Sequence, residues 1–139
     1  MASLTKPLRW QALRVADVSE ELAILAELVP DDGWLTVPDI VERLGSDVPK
    51  VRRMIDERLL LGVRRGTPKV LQIPTLLVEP EPMVSLPGTL TVLFDAGFSD
   101  AEALRWLFTP DEALGCAPVE ALRNNRIAPV RRRAQVLGY

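Results

Sequence analysis

Two short amphipathic segments separated by one glycine constrain the fold of this chain more than any other feature. The first begins at Thr36, whose hydroxyl can cap a helix, with Pro38 in the first turn and Asp39 three residues after the cap. Gly45 follows its last apolar residue, and glycine readily takes the left-handed conformation found at helix ends. The sequence therefore predicts a helix over 37–44 that ends in a tight turn.

The second segment starts immediately after this turn. Ser46 or Asp47 is placed to cap it, and Val48, Val51 and Ile55 recur at the spacing of one buried helical stripe. Its other positions carry bases. Two short helices joined by a tight turn, with bases on the free face of the second, are typical of a helix-turn-helix that docks on DNA.

A predicted β-hairpin comes next. Residues 61–65 and 70–73 have strand character, and the turn 66–69 contains glycine and proline. A hairpin directly after the second helix is where the wing of a winged helix-turn-helix lies. An ordinary edge hairpin, protected from aggregation by its charges, is the alternative reading.

Charge is unevenly distributed, although the formal net charge is only −2. Residues 17–47 hold nine acids and one base, whereas residues 50–69 hold seven bases and two acids. A concentrated basic patch attracts phosphates even on a slightly acidic chain, because salt screens distant charges. The candidate DNA-binding residues are Ser46, Lys50, Arg52, Arg53, Arg64, Arg65 and Lys69.

A second group of bases lies near the C-terminus, where residues 123–133 hold five arginines and no acid. On a helix, three consecutive arginines fan out and cannot all face one phosphate backbone. A second DNA contact and a contact with acids of the first domain are both compatible with this pattern. The residues concerned are Arg126, Arg131, Arg132 and Arg133.

The chain divides near 79–82, where two prolines alternate with acids and favour an extended connection. We expect an N-terminal arm over 1–17, a winged helix-turn-helix domain over 18–79 and a small all-helical domain over 80–139. The first domain should open with a helix at 19–29. The predicted fold class is mainly α with a small β-hairpin wing.

Several function classes are disfavoured. The chain has no histidine and a single cysteine, Cys116, which argues against a zinc site, a Cys/His catalytic pair and an internal disulfide. No glycine-rich phosphate loop or nucleophile motif is present. We therefore expect a protein that is not an enzyme, has no metal or cofactor, and lacks a signal peptide and membrane span. Its expected location is the cytoplasm, in association with the nucleoid.

The chain also resembles an actinobacterial family of winged helix-turn-helix DNA-binding proteins. In the first half, the matching segments are LTVPDIVERLG at 35–45, DVPKVRR at 47–53 and VRR at 63–65. In the second half, LPGTLTVLFDAG at 86–97, EALRWLFTPD at 102–111, PVEAL at 118–122 and VRRRAQ at 130–135 resemble the helical domain that accompanies the wing module.

The resemblance implies DNA binding through the first domain, without a known reaction, and DNA-contacting roles at Lys50, Arg53, Arg64 and Arg65. A mycobacterial member is a substrate of a serine/threonine kinase, which implies that this chain is a phosphoprotein with a kinase partner. No recognisable motif surrounds the candidate acceptor Thr5.

The sequence thus favours a protein that binds double-stranded DNA, as a transcriptional regulator or an architectural protein. Its recognition helix, about 47–57, would lie in the major groove, and its wing, 61–73, on the backbone or in the minor groove. The alternative is an interaction module, antitoxin-like or a regulatory adaptor, whose helical domain binds a protein partner. Oligomeric state is left open.

Overall fold

The computed structural model describes residues 18–137, which form helices around a small antiparallel sheet. The predicted arm, 1–17, lies outside the described residues. The fold class expected from the sequence, a winged helix-turn-helix followed by a helical domain, is confirmed. In chain order the elements are α1 (Val18–Leu28), β1 (Trp34–Thr36), α2 (Val37–Leu44), α3 (Val48–Asp56), β2 (Val63–Arg65), β3 (Val70–Pro74), α4 (Thr75–Val78), α5 (Leu86–Asp95), α6 (Asp100–Phe108), α7 (Pro118–Arg123) and α8 (Ile127–Val136).

Local capping chemistry sets the helix-turn-helix. The Thr36 hydroxyl accepts from the Asp39 amide, and the Asp39 carboxylate accepts from the Thr36 amide at 3.0 Å, so the predicted cap is a full capping box. Gly45 ends α2 with a φ of 60°, in the left-handed region. These contacts fix both ends of α2 without help from the rest of the fold.

The start of α3 settles one open alternative and corrects one expectation. Asp47, not Ser46, is the cap, and its carboxylate accepts from the Lys50 amide at 2.9 Å. Val51 is fully buried, as predicted, but Val48 is 43% exposed. The stripe prediction was wrong at Val48 because this residue is the first of the helix, where the chain has not yet reached the core.

The wing is part of a three-stranded sheet in the order β1-β3-β2. The predicted hairpin pairs Val63 with Gln72 and Arg65 with Val70. β1, which no sequence pattern predicted, pairs on the other side of β3 and sets Leu35 opposite Ile73. β1 is three residues long and ends at Thr36, the α2 cap, so it is too short for an alternating pattern to be visible.

Helix α1 packs mainly against α6, in the second half of the chain. On α1, the apolar residue Ala26 is exposed, whereas the acid Glu21 is only 2% exposed. Its carboxylate accepts from Arg105 on α6 at 2.9 Å. Buried apolar residues of both halves form one continuous core, and the proposed domain border after residue 79 stays a prediction.

Gly62 is required by a close approach between chain segments. A Cβ at this position would lie 2.5 Å from the Gln72 carbonyl oxygen and 2.8 Å from the Ile73 side chain. Since both belong to β3, Gly62→Ala would push apart the strands that carry the wing. We expect a loss of about 2–3 kcal/mol in the free energy of unfolding, measured by urea denaturation.

Gly45→Ala is the control for this substitution. At Gly45 the added Cβ meets nothing within 4 Å, so only the left-handed backbone opposes it. The expected cost is about 1 kcal/mol. Equal losses for the two variants would show that contact with β3 is not what requires glycine at position 62.

Burial raises the pKa of Glu21 above the ordinary range of a glutamate, and the nearby Arg105 guanidinium opposes this shift. The folded protein therefore holds the Glu21 proton to higher pH than the unfolded chain does. The stability of the wild type relative to Glu21→Gln should decrease as pH rises from about 4.5 through the folded pKa. Urea denaturation of both proteins between about pH 4 and pH 7 tests this, and a constant difference would contradict it.

Candidate nucleic-acid interface

Helix α3 presents three bases to solvent. Lys50, Arg52 and Arg53 are all exposed, while Val51 between them is buried and anchors the helix. Across residues 18–137, none of the three side chains forms an ion pair. Cations without an internal partner are available to phosphates and to the acceptor edges of bases.

One of these bases meets the wing. Arg52 lines a cleft of about 300 Å³ together with Arg64 of β2 and Lys69 of the hairpin turn. The apolar part of the lining comes from the start of α2 and from β3. We call this feature the cationic cleft; its remaining lining residues are Val37, Pro38, Val70 and Leu71.

The other candidates of the helix-turn-helix lie outside the cationic cleft. Lys50 and Arg53 occupy other parts of the exposed surface of α3 and do not line it. Ser46 is half-buried, and its amide donates to the Val41 carbonyl at 3.0 Å in the turn between the helices. The structure thus brings three of the seven predicted residues together, and DNA contacts at all seven stay predictions.

Arg65 is more buried, and has more partners within the protein, than the sequence indicated. Its guanidinium stacks over Trp34 at 4.6 Å from the ring centroid. It donates to the Gln72 side chain at 3.0 Å and to the Asp31 carboxylate at 3.0 Å, and its side chain is 20% exposed. These contacts join the wing to β1 and to the turn before it.

The C-terminal arginines are mostly engaged with their own half of the chain. Arg133 pairs with Asp111 at 3.1 Å, and Arg126 donates to the Leu114 carbonyl at 2.7 Å. Arg131 lies against Gly88, where any Cβ would collide with its guanidinium. Of the four predicted residues, Arg132 is the one that is exposed and has no ion pair, hydrogen bond or close packing of this type with the described residues. The acid that pairs with Arg133, Asp111, belongs to the second half of the chain. The structure therefore does not show the alternative, a contact between these arginines and acids of the first domain.

Sequence reasoning missed a further arginine that connects the two halves. Arg123 on α7 donates to the Leu76 carbonyl from Nε at 3.0 Å and from Nη2 at 2.6 Å. Its Nη1 donates to the Glu81 carbonyl. The acceptors are backbone carbonyls, which every residue has, so no pattern of side chains in the sequence indicates these contacts.

Two observations bear on other kinds of site. In the part of the chain that the structure describes, no three potential metal ligands lie close enough together to hold an ion. Over the same residues, every helix is too short or too polar to cross a lipid bilayer.

The neighbours Arg64 and Arg65 are expected to differ in their effect on stability. Arg65→Ala removes the stacking on Trp34 and the bond to Gln72, and should lower the free energy of unfolding by about 1–2 kcal/mol. The pair with Asp31 adds little, since Asp31 is 95% exposed. Arg64→Ala, at an exposed position, should change stability by no more than about 0.5 kcal/mol in the same urea titration. Equal losses would argue against a positioning role for Arg65.

Comparison with known proteins identifies both halves of the chain. Residues 26–78 match the family model described as "DNA-binding protein Rv2175c, wHTH domain", and residues 83–138 match "Rv2175c C-terminal domain of unknown function". The chain is 36% identical over 124 residues to the DNA-binding protein Rv2175c of Mycobacterium tuberculosis, covering 81% of this chain and 85% of that protein. The NMR structure of Rv2175c superposes with a TM-score of 0.69 at 36% identity, covering 79% of this chain and 84% of that one. The chain therefore belongs to the family of the DNA-binding protein Rv2175c.

Proposed function

We propose that this protein binds double-stranded DNA through α3 and the wing. The observation that carries the proposal is the cationic cleft, in which a base from α3 and two bases from the wing converge. A winged helix-turn-helix needs a helix and a hairpin on one basic surface, because the helix contacts the major groove while the wing contacts the adjacent backbone or minor groove. The family membership and the name of the mycobacterial relative support the same function.

The proposed docking follows from where the bases lie. Residues 47–57 enter the major groove with α3, where Lys50, Arg52 and Arg53 reach base edges or flanking phosphates. The wing, 61–73, lies over the backbone or in the minor groove. Arg65 then acts mainly by holding the wing in position, since its guanidinium already has partners within the fold.

The overall charge of −2 does not oppose this function. Exposed charges farther apart than about 10 Å are largely screened at moderate salt, so the local field at the cleft decides attraction to phosphate. The same screening makes the affinity strongly salt-dependent, because binding releases counterions from the duplex. Three phosphate contacts, one from each base of the cleft, would give a slope of about −3 in a plot of log affinity against log salt.

In the cell, such a protein acts as a transcriptional regulator or as an architectural component of the nucleoid. Both roles need only DNA binding without a reaction, and no particular operator is implied. Control by a serine/threonine kinase remains part of the proposal through the resemblance, but Thr5 lies outside the described residues. The arrangement of the C-terminal arginines favours structural roles for most of them over a second DNA contact.

The test is fluorescence anisotropy of a labelled random duplex with the purified full chain at two salt concentrations. We expect Arg52→Ala, Arg64→Ala and Lys69→Ala each to weaken binding about three- to tenfold at low salt. Each should also reduce the salt slope by about 1, because each removes one phosphate contact. Lys50→Ala and Arg53→Ala then show how much of α3 outside the cleft contributes.

Arg132→Ala is the matched control, since it removes an exposed arginine from the other half of the chain. It should leave affinity and salt slope unchanged within about twofold. Wild-type affinity in all three cleft variants, with their folding confirmed, would refute the proposed surface. Weaker binding in Arg132→Ala instead would move the interface to the helical half.

A further inference from the structure

An apolar cavity of about 510 Å³ opens between the two halves of the chain, away from the cationic cleft. It lies where the end of α1 and the segment around α4 face the end of α6 and the start of α7. The volume is within the range of small-molecule sites in proteins, about 300–1,000 Å³. Its principal apolar lining residues are Leu28, Val29, Pro74, Leu76, Phe108 and Val119.

Two carboxylates lie in the lining and give the cavity its electrostatic character. Glu79 pairs with Arg43 at 2.6 Å, so its charge is largely balanced. Glu120 is exposed and forms no ion pair with the described residues. A carboxylate without an internal partner attracts a cation, and the exposure of Glu120 to solvent keeps this attraction modest. The charge of the cavity therefore favours a positively charged ligand.

A polar atom beside the cavity lacks a partner. Thr75 lines the cavity, and its Oγ1 atom is buried without a hydrogen bond among the described residues. A buried hydroxyl without a partner is unfavourable, and a ligand group that reached it would supply the missing hydrogen bond. The site thus combines apolar walls, one unbalanced carboxylate and one unused hydroxyl.

We propose that this cavity binds a small organic amine, with an apolar body against the walls and its ammonium group beside Glu120. Such sites are mostly apolar, with a few polar groups that fix orientation. The lining comes from both halves of the chain, so a bound amine would contact the winged domain and the helical domain together. The inference is independent of DNA binding, because the cavity shares no lining residue with the cationic cleft.

Amide NMR of the isotope-labelled full chain tests the proposal, with phenethylamine and tryptamine as probes. Hydrocinnamate and indolepropionate, which carry a carboxylate in place of the amine, are the matched anions. We expect shifts confined to residues 28–33, 74–79, 108 and 117–120, with millimolar dissociation constants for the amines, as suits ligands of this size. Both anions should bind more weakly.

Glu120→Gln should weaken amine binding about three- to fivefold, and Glu112→Gln, an exposed acid outside the cavity, should leave it unchanged. Thr75→Val keeps the side-chain shape and should weaken binding less than Glu120→Gln. The proposal is overturned by the absence of shifts with either amine, by shifts elsewhere in the chain, or by equal binding of amines and anions. Unchanged amine affinity in Glu120→Gln overturns it as well.

Discussion

The double pairing of β3 is the constraint on which the proposed interface depends. β3 bonds to β1 on one edge and to β2 on the other, so the wing is attached to the body of the domain through a continuous sheet. A free two-stranded hairpin is marginally stable in water, whereas a third strand and a packed face stabilise it. Ile73, the fourth of the five residues of β3, is fully buried and ties the sheet to the core.

Among the described residues, two groups of arginines have different tasks. Arg52 and Arg64 are exposed and unpaired within the described residues, and they meet at the cationic cleft. Arg105, Arg123 and Arg133 instead bond to groups on other elements of the fold. Arginine suits both tasks because its planar group donates several hydrogen bonds and stays charged when partly buried. Sequence composition alone does not separate the two groups.

Features that depend on neighbours in sequence were predictable, and features that depend on distant partners were not. The capping box at Thr36 and the glycine at position 45 follow from chemistry within a few residues, and both were predicted. Arg65 was predicted to contact DNA. Its stacking on Trp34 was not predictable, because the two residues lie far apart in sequence. Glu21 faces a partner on α6 that no local pattern could indicate. The cationic cleft was half predictable: its bases were identified, but which of them converge required the fold.

The contacts of Arg123 have a consequence for how the protein can be taken apart. One guanidinium bonds to a carbonyl before the connecting segment, at Leu76, and to a carbonyl within it, at Glu81, while α1 lies against α6. Cutting the chain between its two family segments would leave bare carbonyls on one fragment and an uncovered apolar helix face on the other. Neither isolated fragment would keep the structure that it has in the whole protein. Measurements on a truncated chain would therefore reflect the newly exposed interface as well as the domain retained.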